Sequence, residues 1–197
     1  MSGEGNRRVR SDKKWSVQPF VSIELKDCIY RLSYITDTPV KDVIAAICEN
    51  GMRNKKVMSY LSCNFRRDIR IDNTVYLGDL ERDSVKKRSA LGKTERVSTR
   101  LTGTMHNALK ALAYSLDCST AKACTLLLDA TVRDVDFINH FVKSYLDRHV
   151  DKTRMKELKK VLEYINAYNP YSEELSWANL FSYLVEEVKI HSDKVQD

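Results

Sequence analysis

The most constraining feature of this sequence is a short alternating stretch near its middle, residues 96–101 (RVSTRL). Three of its side chains would share one side of a β-strand: Val97, Thr99 and Leu101. The other three would share the opposite side: Arg96, Ser98 and Arg100. A helix with apolar residues on one face is predicted to follow at 104–116. A strand this short is not stable alone, so it requires a partner strand and a core beneath it.

The polar side of this strand has the chemistry of a surface that reads DNA bases. Its two guanidinium groups flank a hydroxyl group, and such groups can hydrogen-bond base edges when a strand lies in a major groove. A solvated edge strand with ordinary surface arginines is the alternative, and residues 96–101 alone favour that alternative. The base-reading interpretation gains support because the chain contains the same arrangement twice.

The first copy begins at 16–25, where side chains alternate again. Those expected to face inward are Val21, Ile23 and Leu25, and those expected to face outward are Phe20, Ser22 and Glu24. Pro19 restricts the start of this strand to a sheet edge. A helix is predicted to follow from about 26 to 36.

Two further helices complete the first copy, which covers residues 15–67. Thr38 is predicted to cap the second helix, with Pro39 at the first helical position and Gly51 at the C-terminal cap. The third helix is predicted over 54–66. The copy therefore consists of a strand, a helix, a capped helix and an extra helix.

The two copies align without a gap from Leu32 to Phe65 when Leu32 is placed on Leu112. In this register Tyr34 also falls on Tyr114 and Asp37 on Asp117, so three identities lie in and just after the first helix. The strands match best in a different register, which superimposes Val21 on Val97 and makes the first helix of the second copy about one turn longer. We interpret the pattern as a divergent internal duplication, with the second copy over 95–149. Coincidence between two amphipathic helical regions is the alternative.

Three segments lie outside the two copies. Residues 1–14 are polar and basic and are predicted to form a disordered arm. Residues 68–94 are predicted to form a long linker that contains a small hairpin. Residues 150–197 are predicted to form a helical hairpin, whose apolar stripe includes Trp177 and Phe181 and needs a cover.

The formal net charge of +6 is unevenly distributed. Residues 171–197 contain six acidic residues and two lysines, a local charge of −4, so the remainder carries +10. Such a surplus favours a polyanionic partner. A basic protein whose charge only keeps it soluble is the alternative.

Several other classes of protein are disfavoured. The five cysteines are scattered, with neither a C-x-x-C pair nor a histidine at ligand spacing, so neither a disulfide framework nor a zinc site is expected. No apolar run approaches the length of a membrane span, and the basic N-terminus lacks the apolar core of a secretory signal. We therefore expect a cytoplasmic protein that neither binds a metal nor associates with a membrane.

Enzymatic chemistry is not expected either. The four histidines are isolated, and the chain has no Ser-His-Asp constellation, no H-E-x-x-H motif and no glycine-rich phosphate loop. No cofactor is predicted.

The duplicated unit resembles the ribbon-helix-helix family of DNA-binding proteins, the class of the Arc and methionine repressors. The resemblance covers residues 16–50 and 95–131. In that family two units pair their strands into an antiparallel ribbon that enters the major groove, and the N-terminus of the second helix holds phosphate. The resemblance implies a mainly α fold with a short two-stranded antiparallel ribbon, built from tandem ribbon-helix-helix repeats plus a C-terminal helical hairpin.

The resemblance also implies a set of contacting residues. By position, the base contacts fall on Arg96, Ser98, Arg100, Ser22 and Glu24. The phosphate-holding caps fall on Ser119, Thr120 and Thr38. The linker's basic cluster could contact the DNA backbone as well, with a solvated linker as the alternative: Lys86, Lys87 and Arg88.

The leading functional hypothesis is a sequence-specific double-stranded DNA-binding protein, most simply a self-associating transcriptional repressor on the cytoplasmic nucleoid. Pairing of the two units within one chain would give an asymmetric ribbon that reads a non-palindromic half-site, and pairing between chains is the alternative. A different class of function is an all-helical adaptor that binds a protein partner through Trp177 and Phe181. Plasmid-partition and conjugation accessory roles, the operator and any effector are not distinguished by the sequence.

Overall fold

The computed structural model describes residues 13–88, 92–146, 152–167 and 169–171. Most of the predicted N-terminal arm therefore lies outside the described residues. So does the apolar stripe that contains Trp177 and Phe181.

The described elements follow one another as short strands and longer helices. The strands are β1 (Trp15–Val17), β2 (Phe20–Ser22), β3 (Ile69–Ile71), β4 (Thr74–Tyr76), β5 (Thr94–Arg96) and β6 (Thr99–Leu101). The helices are α1 (Ile23–Ile35), α2 (Val40–Arg53), α3 (Lys55–Ser62), α4 (Gly103–Ser115), α5 (Thr120–Val132), α6 (Val135–Leu146) and α7 (Lys152–Asn166). The predicted mainly α fold with short antiparallel strand pairs is confirmed.

Four of the strands form one two-stranded antiparallel arrangement, which we call the ribbon (residues 15–22 and 94–101). β1 pairs with β6, and β2 pairs with β5, in a single register. Between the two pairings, the Val97 N–H donates a hydrogen bond of 3.1 Å to the Pro19 carbonyl. Apolar side chains on the inner side of the ribbon are buried, and they join it to the helical core: Val17, Val21, Val97 and Leu101.

The helices that follow each half of the ribbon have matching ends. α1 and α4 both contain 13 residues, and their starts keep the register that places Leu32 on Leu112. Ser22 caps α1 and Thr102 caps α4, each with a side-chain oxygen that accepts a backbone N–H. Residues 37 and 117, the aspartates that follow the two helices, share the left-handed backbone with φ of 49° and 51°.

The core is centred on α2 and α5, which pack against each other. Cys48 and Cys124 are fully buried there, with their sulfurs 3.8 Å apart. Gly51 permits the close approach, because a Cβ at this position would collide with the Thr131 hydroxyl and lie 2.9 Å from Leu127 Cδ1. The predicted C-terminal cap at Gly51 is therefore wrong, since α2 continues to Arg53.

Two other predicted boundaries differ from the structure. The first strand ends at Ser22 rather than at 25, because Ser22 caps α1 and the helix already begins at Ile23. The third helix ends at Ser62 rather than at 66. After it, the chain turns so that the N–H groups of Arg66 and Arg67 both bond the Ser115 carbonyl at the end of α4.

The segment between the two halves is structured in its first part. β3 and β4 pair as the predicted hairpin, and Asp72 takes the left-handed conformation (φ 50°) that the tight turn requires. A single 3₁₀ turn follows at Val85–Lys87, and the Val85 side chain is buried. The segment 74–88 thus contacts the core through Val85 and also carries exposed charged side chains.

None of the helices within the described ranges combines the length and apolar character that crossing a membrane requires.

Candidate nucleic-acid interface

The outer side of the ribbon displays seven exposed side chains, three from one strand segment and four from the other. They are Ser16, Gln18 and Phe20 from one segment and Thr94, Arg96, Ser98 and Arg100 from the other. Ser16 stands opposite Arg100, and Phe20 stands opposite Arg96. The antiparallel pairing thus brings both predicted arginines to one face, at opposite ends of the ribbon.

The two arginines have different surroundings. Arg96 donates a hydrogen bond of 3.2 Å to Gln18 Oε1, and its guanidinium carbon lies 4.8 Å from the centre of the Phe20 ring. The Arg100 side chain has no hydrogen-bond or ion-pair partner among the described residues. Its full set of donors is therefore available to a ligand, whereas part of Arg96 is used to hold the ribbon surface.

Ser22 is the last residue of β2, opposite Thr94, so its predicted place on a strand is confirmed, but its side chain is used as a helix cap. Glu24 is not on a strand, so its predicted position is wrong. The Ser22 hydroxyl accepts the Leu25 N–H at 3.2 Å and caps α1. Glu24 lies in the first turn of α1, where a carboxylate interacts favourably with the helix dipole. The error arose because the alternating pattern continues past Ser22 into the first turn of the helix.

The ribbon segments follow the same register as the helices. When Leu32 is placed on Leu112, the residues that fall on Arg96, Ser98 and Arg100 are Ser16, Gln18 and Phe20, which occupy the same face. The predicted strand register, with Val21 on Val97, therefore missed Ser16 and Gln18. The capping residues Ser22 and Thr102 carried the signal that could have found them, since each immediately precedes its helix.

The N-terminus of α5 is fixed beside one end of the ribbon. Ser119 caps α5 as predicted, and its hydroxyl accepts the Lys122 N–H at 3.2 Å, while Thr120 is the first helical residue. One turn further, Thr125 Oγ1 donates a hydrogen bond of 2.8 Å to the carbonyl of Phe20. The first turn of α5 is thereby held against the Phe20 end of the ribbon.

The N-terminus of α2 is fixed to the other half of the ribbon. The buried Thr99 hydroxyl donates a hydrogen bond of 2.7 Å to the Lys41 carbonyl, in the first turn of α2. Thr38 is not the cap of this helix, which corrects the prediction. Pro39 occupies the cap position and its carbonyl accepts the Val43 N–H at 3.0 Å, while the Thr38 hydroxyl bonds the Thr36 carbonyl at 3.1 Å.

An open groove of about 400 Å³ adjoins the first turn of α5. Its lining includes Phe20, Ser119, Lys122, Lys86 and Arg88. The Lys122 ammonium donates a hydrogen bond of 2.9 Å to the Arg88 carbonyl, so this lysine links the helix to the segment before it. The groove thus combines the N-terminus of a helix with cationic side chains.

The basic cluster at 86–88 is partly used inside the molecule. The Lys86 ammonium lies 3.1 Å from Asp117 Oδ1, and Arg88 donates to Asn64 Oδ1 at 2.7 Å. Hydrogen bonds from Lys86 and Arg67 hold the pKa of Asp117 below its usual value of 3.8. The Lys87 side chain lies outside the described part of the chain.

The opposite end of the ribbon carries an aromatic stack. The Trp15 ring lies parallel to His106, with ring centres 5.1 Å apart, and the Lys13 ammonium lies 4.5 Å from the centre of the Trp15 ring. Burial against this stack, with a smaller contribution from Lys110, lowers the pKa of His106 below 6.5. A neutral imidazole is therefore the form that stacks at neutral pH.

Glu95 is the acidic residue within the ribbon segments, and its charge is balanced. Lys26 on α1 forms a hydrogen-bonded ion pair with Glu95, and this bond raises the pKa of Lys26 above 10.5. Glu95 stands opposite the buried Val21, so its place in the ribbon is on the inner rather than the outer side. The seven exposed outer side chains therefore include two cations and no anion.

A metal centre has no support in the part of the chain that the structure describes, where no three side chains of His, Cys, Asp or Glu converge. Comparison of the chain with protein-family models, with curated protein sequences and with solved structures finds no match in any of the three. The geometry of the ribbon is thus the basis on which a function can be argued.

Proposed function

We propose that this chain is a sequence-specific double-stranded DNA-binding protein that reads the major groove with its ribbon and acts as a transcriptional repressor. The observation that carries the proposal is the outer face of the ribbon, where Arg96, Ser98 and Arg100 stand together with Ser16, Gln18 and Phe20. A two-stranded ribbon fits the width of a major groove, and these side chains include the donors and apolar surface that distinguish base edges there.

The proposal includes a tandem ribbon-helix-helix architecture, in which both units come from one polypeptide. It is supported by the recurrence of helix starts, caps and left-handed aspartates in the one register that places Leu32 on Leu112. It is also supported by the pairing of a strand segment from each half into one ribbon. In this architecture the two halves do the work that a pair of identical subunits does in the Arc class.

Phosphate contacts in this proposal come from the first turns of α2 and α5. Each helix is hydrogen-bonded to the ribbon near its start, so a duplex held by the ribbon has its backbone near free helical N–H groups and a positive dipole end. Lys41 and Lys122 add cationic side chains at these places. Such contacts orient the protein on the duplex, and the ribbon supplies the sequence preference.

Repression follows from occupancy of the groove. A protein bound across a promoter excludes other proteins from the same duplex surface, with no catalytic step and no cofactor.

The test of the proposal is in vitro selection from a library of random duplexes with the full chain. Enrichment of one sequence, bound far more tightly than its scrambled counterpart, is expected.

The salt dependence of both duplexes provides the control for this selection. Binding to the scrambled duplex should fall steeply with salt, because counterion release drives it, while the selected duplex keeps an advantage at every salt concentration. Equal affinity for selected and scrambled duplexes would show that the ribbon reads no sequence. Weak binding to both, without a salt dependence, would remove DNA as a partner.

A further inference from the structure

We infer that the two ends of the ribbon read different base pairs, and that Phe20 contacts the C5-methyl group of a thymine in one half of the site. This inference rests on the proposed function, because it assigns a specific role within the same surface. Its basis is a chemical difference between two pairs that occupy equivalent places, Phe20 with Arg96 and Ser16 with Arg100.

Phe20 is a large apolar side chain at a place where the fold does not need one. It is 51% exposed, and the inner side of the ribbon is already closed by buried residues such as Val21 and Leu101. The equivalent position in the other half of the chain is Arg100. A phenyl ring on this face therefore offers apolar surface to whatever the face binds.

Phe20 is held in position both at its backbone and at its ring. The backbone carbonyl of Phe20 accepts a hydrogen bond of 2.8 Å from the Thr125 hydroxyl, which fixes this residue to α5. The Arg96 guanidinium lies over the ring at 4.8 Å and also bonds Gln18. Ring and guanidinium thus form one preorganised unit that presents apolar surface beside hydrogen-bond donors.

The major groove offers one apolar feature, the thymine methyl group, and its strongest paired acceptors are guanine O6 and N7. The Phe20–Arg96 unit matches a thymine next to a guanine. The other end lacks the ring: Arg100 faces Ser16, and the nearby Trp15 is on the inner side of its strand, stacked on His106. That end matches a guanine without a methyl group beside it.

Two consequences follow for the complex. The preferred duplex has unlike halves, because a symmetric duplex would present the same bases to ends of different chemistry. The protein also binds that duplex in one orientation, since turning it round places Arg100 at the methyl group. A structural role for Phe20, in which the ring only supports Arg96, predicts neither consequence.

The test replaces thymine by uracil, which removes the methyl group and leaves the base pairing unchanged. Starting from the duplex that in vitro selection yields, each thymine is replaced in turn, and affinities are measured for wild type, Phe20→Ala and Tyr34→Ala. Tyr34 is a matched control, because it is 52% exposed on α1, away from the outer face of the ribbon. Thermal unfolding of each variant reports whether it is folded.

The expected result is one sensitive thymine position in one half of the site. Wild type and Tyr34→Ala should bind the uracil duplex about fourfold more weakly, the ratio expected for removing one buried methyl group. Phe20→Ala should bind the thymine and uracil duplexes equally. The wild-type measurement stands even if Phe20→Ala is poorly folded, because it changes only the DNA.

Three outcomes overturn the inference while the proposed function survives. They are an enriched duplex with no uracil-sensitive position, sensitive thymines in both halves of a palindromic site, and a Phe20→Ala variant that keeps the wild-type sensitivity. A selection that enriches no sequence at all overturns the proposed function together with this inference.

Discussion

At the scale of single residues, the proposed base recognition assigns the central role to Arg100. It is exposed on the outer face of the ribbon and has no hydrogen-bond or ion-pair partner within the ranges described, whereas Arg96 is held by Gln18 and Phe20. A free guanidinium on a base-reading face can make both hydrogen bonds to one guanine.

We expect Arg100→Ala to weaken binding to the selected duplex by about 1–3 kcal/mol, the usual value of one bidentate contact to guanine. Binding to scrambled duplex should change little, because only one positive charge is lost. Electrophoretic mobility shifts on both duplexes measure the two effects. Arg70→Ala is the matched control, since Arg70 is an exposed arginine on the β3–β4 hairpin, outside the ribbon. Equal losses on the two duplexes would show that Arg100 contacts only phosphate.

Gly51 lies where α2 closely approaches Thr131 and Leu127 of α5. Gly51→Ala places a methyl group against Thr131 and Leu127, so we expect it to destabilise the protein by about 1–3 kcal/mol, as overpacking does. Urea unfolding measures the loss. The double variant with Thr131→Ala should recover part of it, because the colliding hydroxyl is removed. Full additivity of the two changes would contradict this account of the contact.

Asp117 shows how one carboxylate joins three cationic side chains. Its oxygens lie 3.0 Å from Arg66, 2.9 Å from Arg67 and 3.1 Å from Lys86. The folded state lowers the pKa of Asp117 below 3.8, so the carboxylate adds stability above that pH and loses it as pH falls through the folded pKa.

The matched variant is Asp117→Asn, because asparagine also tolerates the left-handed backbone at this position. We expect it to be less stable than wild type at neutral pH, with the difference shrinking as the pH falls below 3.8. Urea unfolding over a range of pH measures the difference. A gap that stays constant down to acid pH would show that the charge of Asp117 does not matter.

At the scale of elements, two threonine hydroxyls attach the ribbon to the helices behind it. Thr99 donates to the Lys41 carbonyl on α2, and Thr125 donates to the Phe20 carbonyl from α5. These bonds help to fix where the first turns of the two helices lie relative to the ribbon, and therefore where the proposed phosphate contacts would fall.

We expect Thr99→Val to lower the free energy of unfolding by about 1 kcal/mol, the typical net value of one hydrogen bond. Thr125→Val should act similarly, and the two effects should add, since the bonds lie on different helices. Chemical denaturation of the single and double variants measures this. A strongly non-additive double variant would mean that the two attachments are one network.

The sequence predicted the elements well where local chemistry determines them. The apolar face of α4 and the hairpin at Asp72 follow from periodicity and turn preferences, and both are found. The Ser119 cap, which the family resemblance implied, is found as well. The prediction failed just after Ser22, where an alternating pattern runs on into a helix, and at Gly51, where a glycine serves a tertiary contact. Local patterns do not contain the second kind of information.

The candidate site was only half predictable for the same reason. Arg96, Ser98 and Arg100 alternate on a strand, so the sequence identified them. Ser16 and Gln18 belong to the same face through cross-strand pairing, and that pairing is not visible in either segment alone. The ion pair of Lys86 with Asp117 and the attachment of Thr125 to the ribbon likewise depend on tertiary contacts.

At the scale of the whole molecule, the ribbon joins residues near the N-terminus to residues in the middle of the same chain. A protein that makes its ribbon internally does not need a second copy to complete it. We therefore expect the midpoint of urea unfolding to stay constant over about a hundredfold range of protein concentration. A midpoint that rises with concentration would show that the fold is completed by association between chains.

The central claim is that the outer face of the ribbon lies in the major groove, and guanine methylation interference tests it most directly. Methylation at guanine N7 modifies the major groove, whereas methylation at adenine N3 modifies the minor groove. The account predicts that N7 methylation within the selected duplex blocks binding, that N3 methylation does not, and that Arg100→Ala removes the interference at one guanine. Interference from adenine N3 alone, or from neither modification, would contradict it.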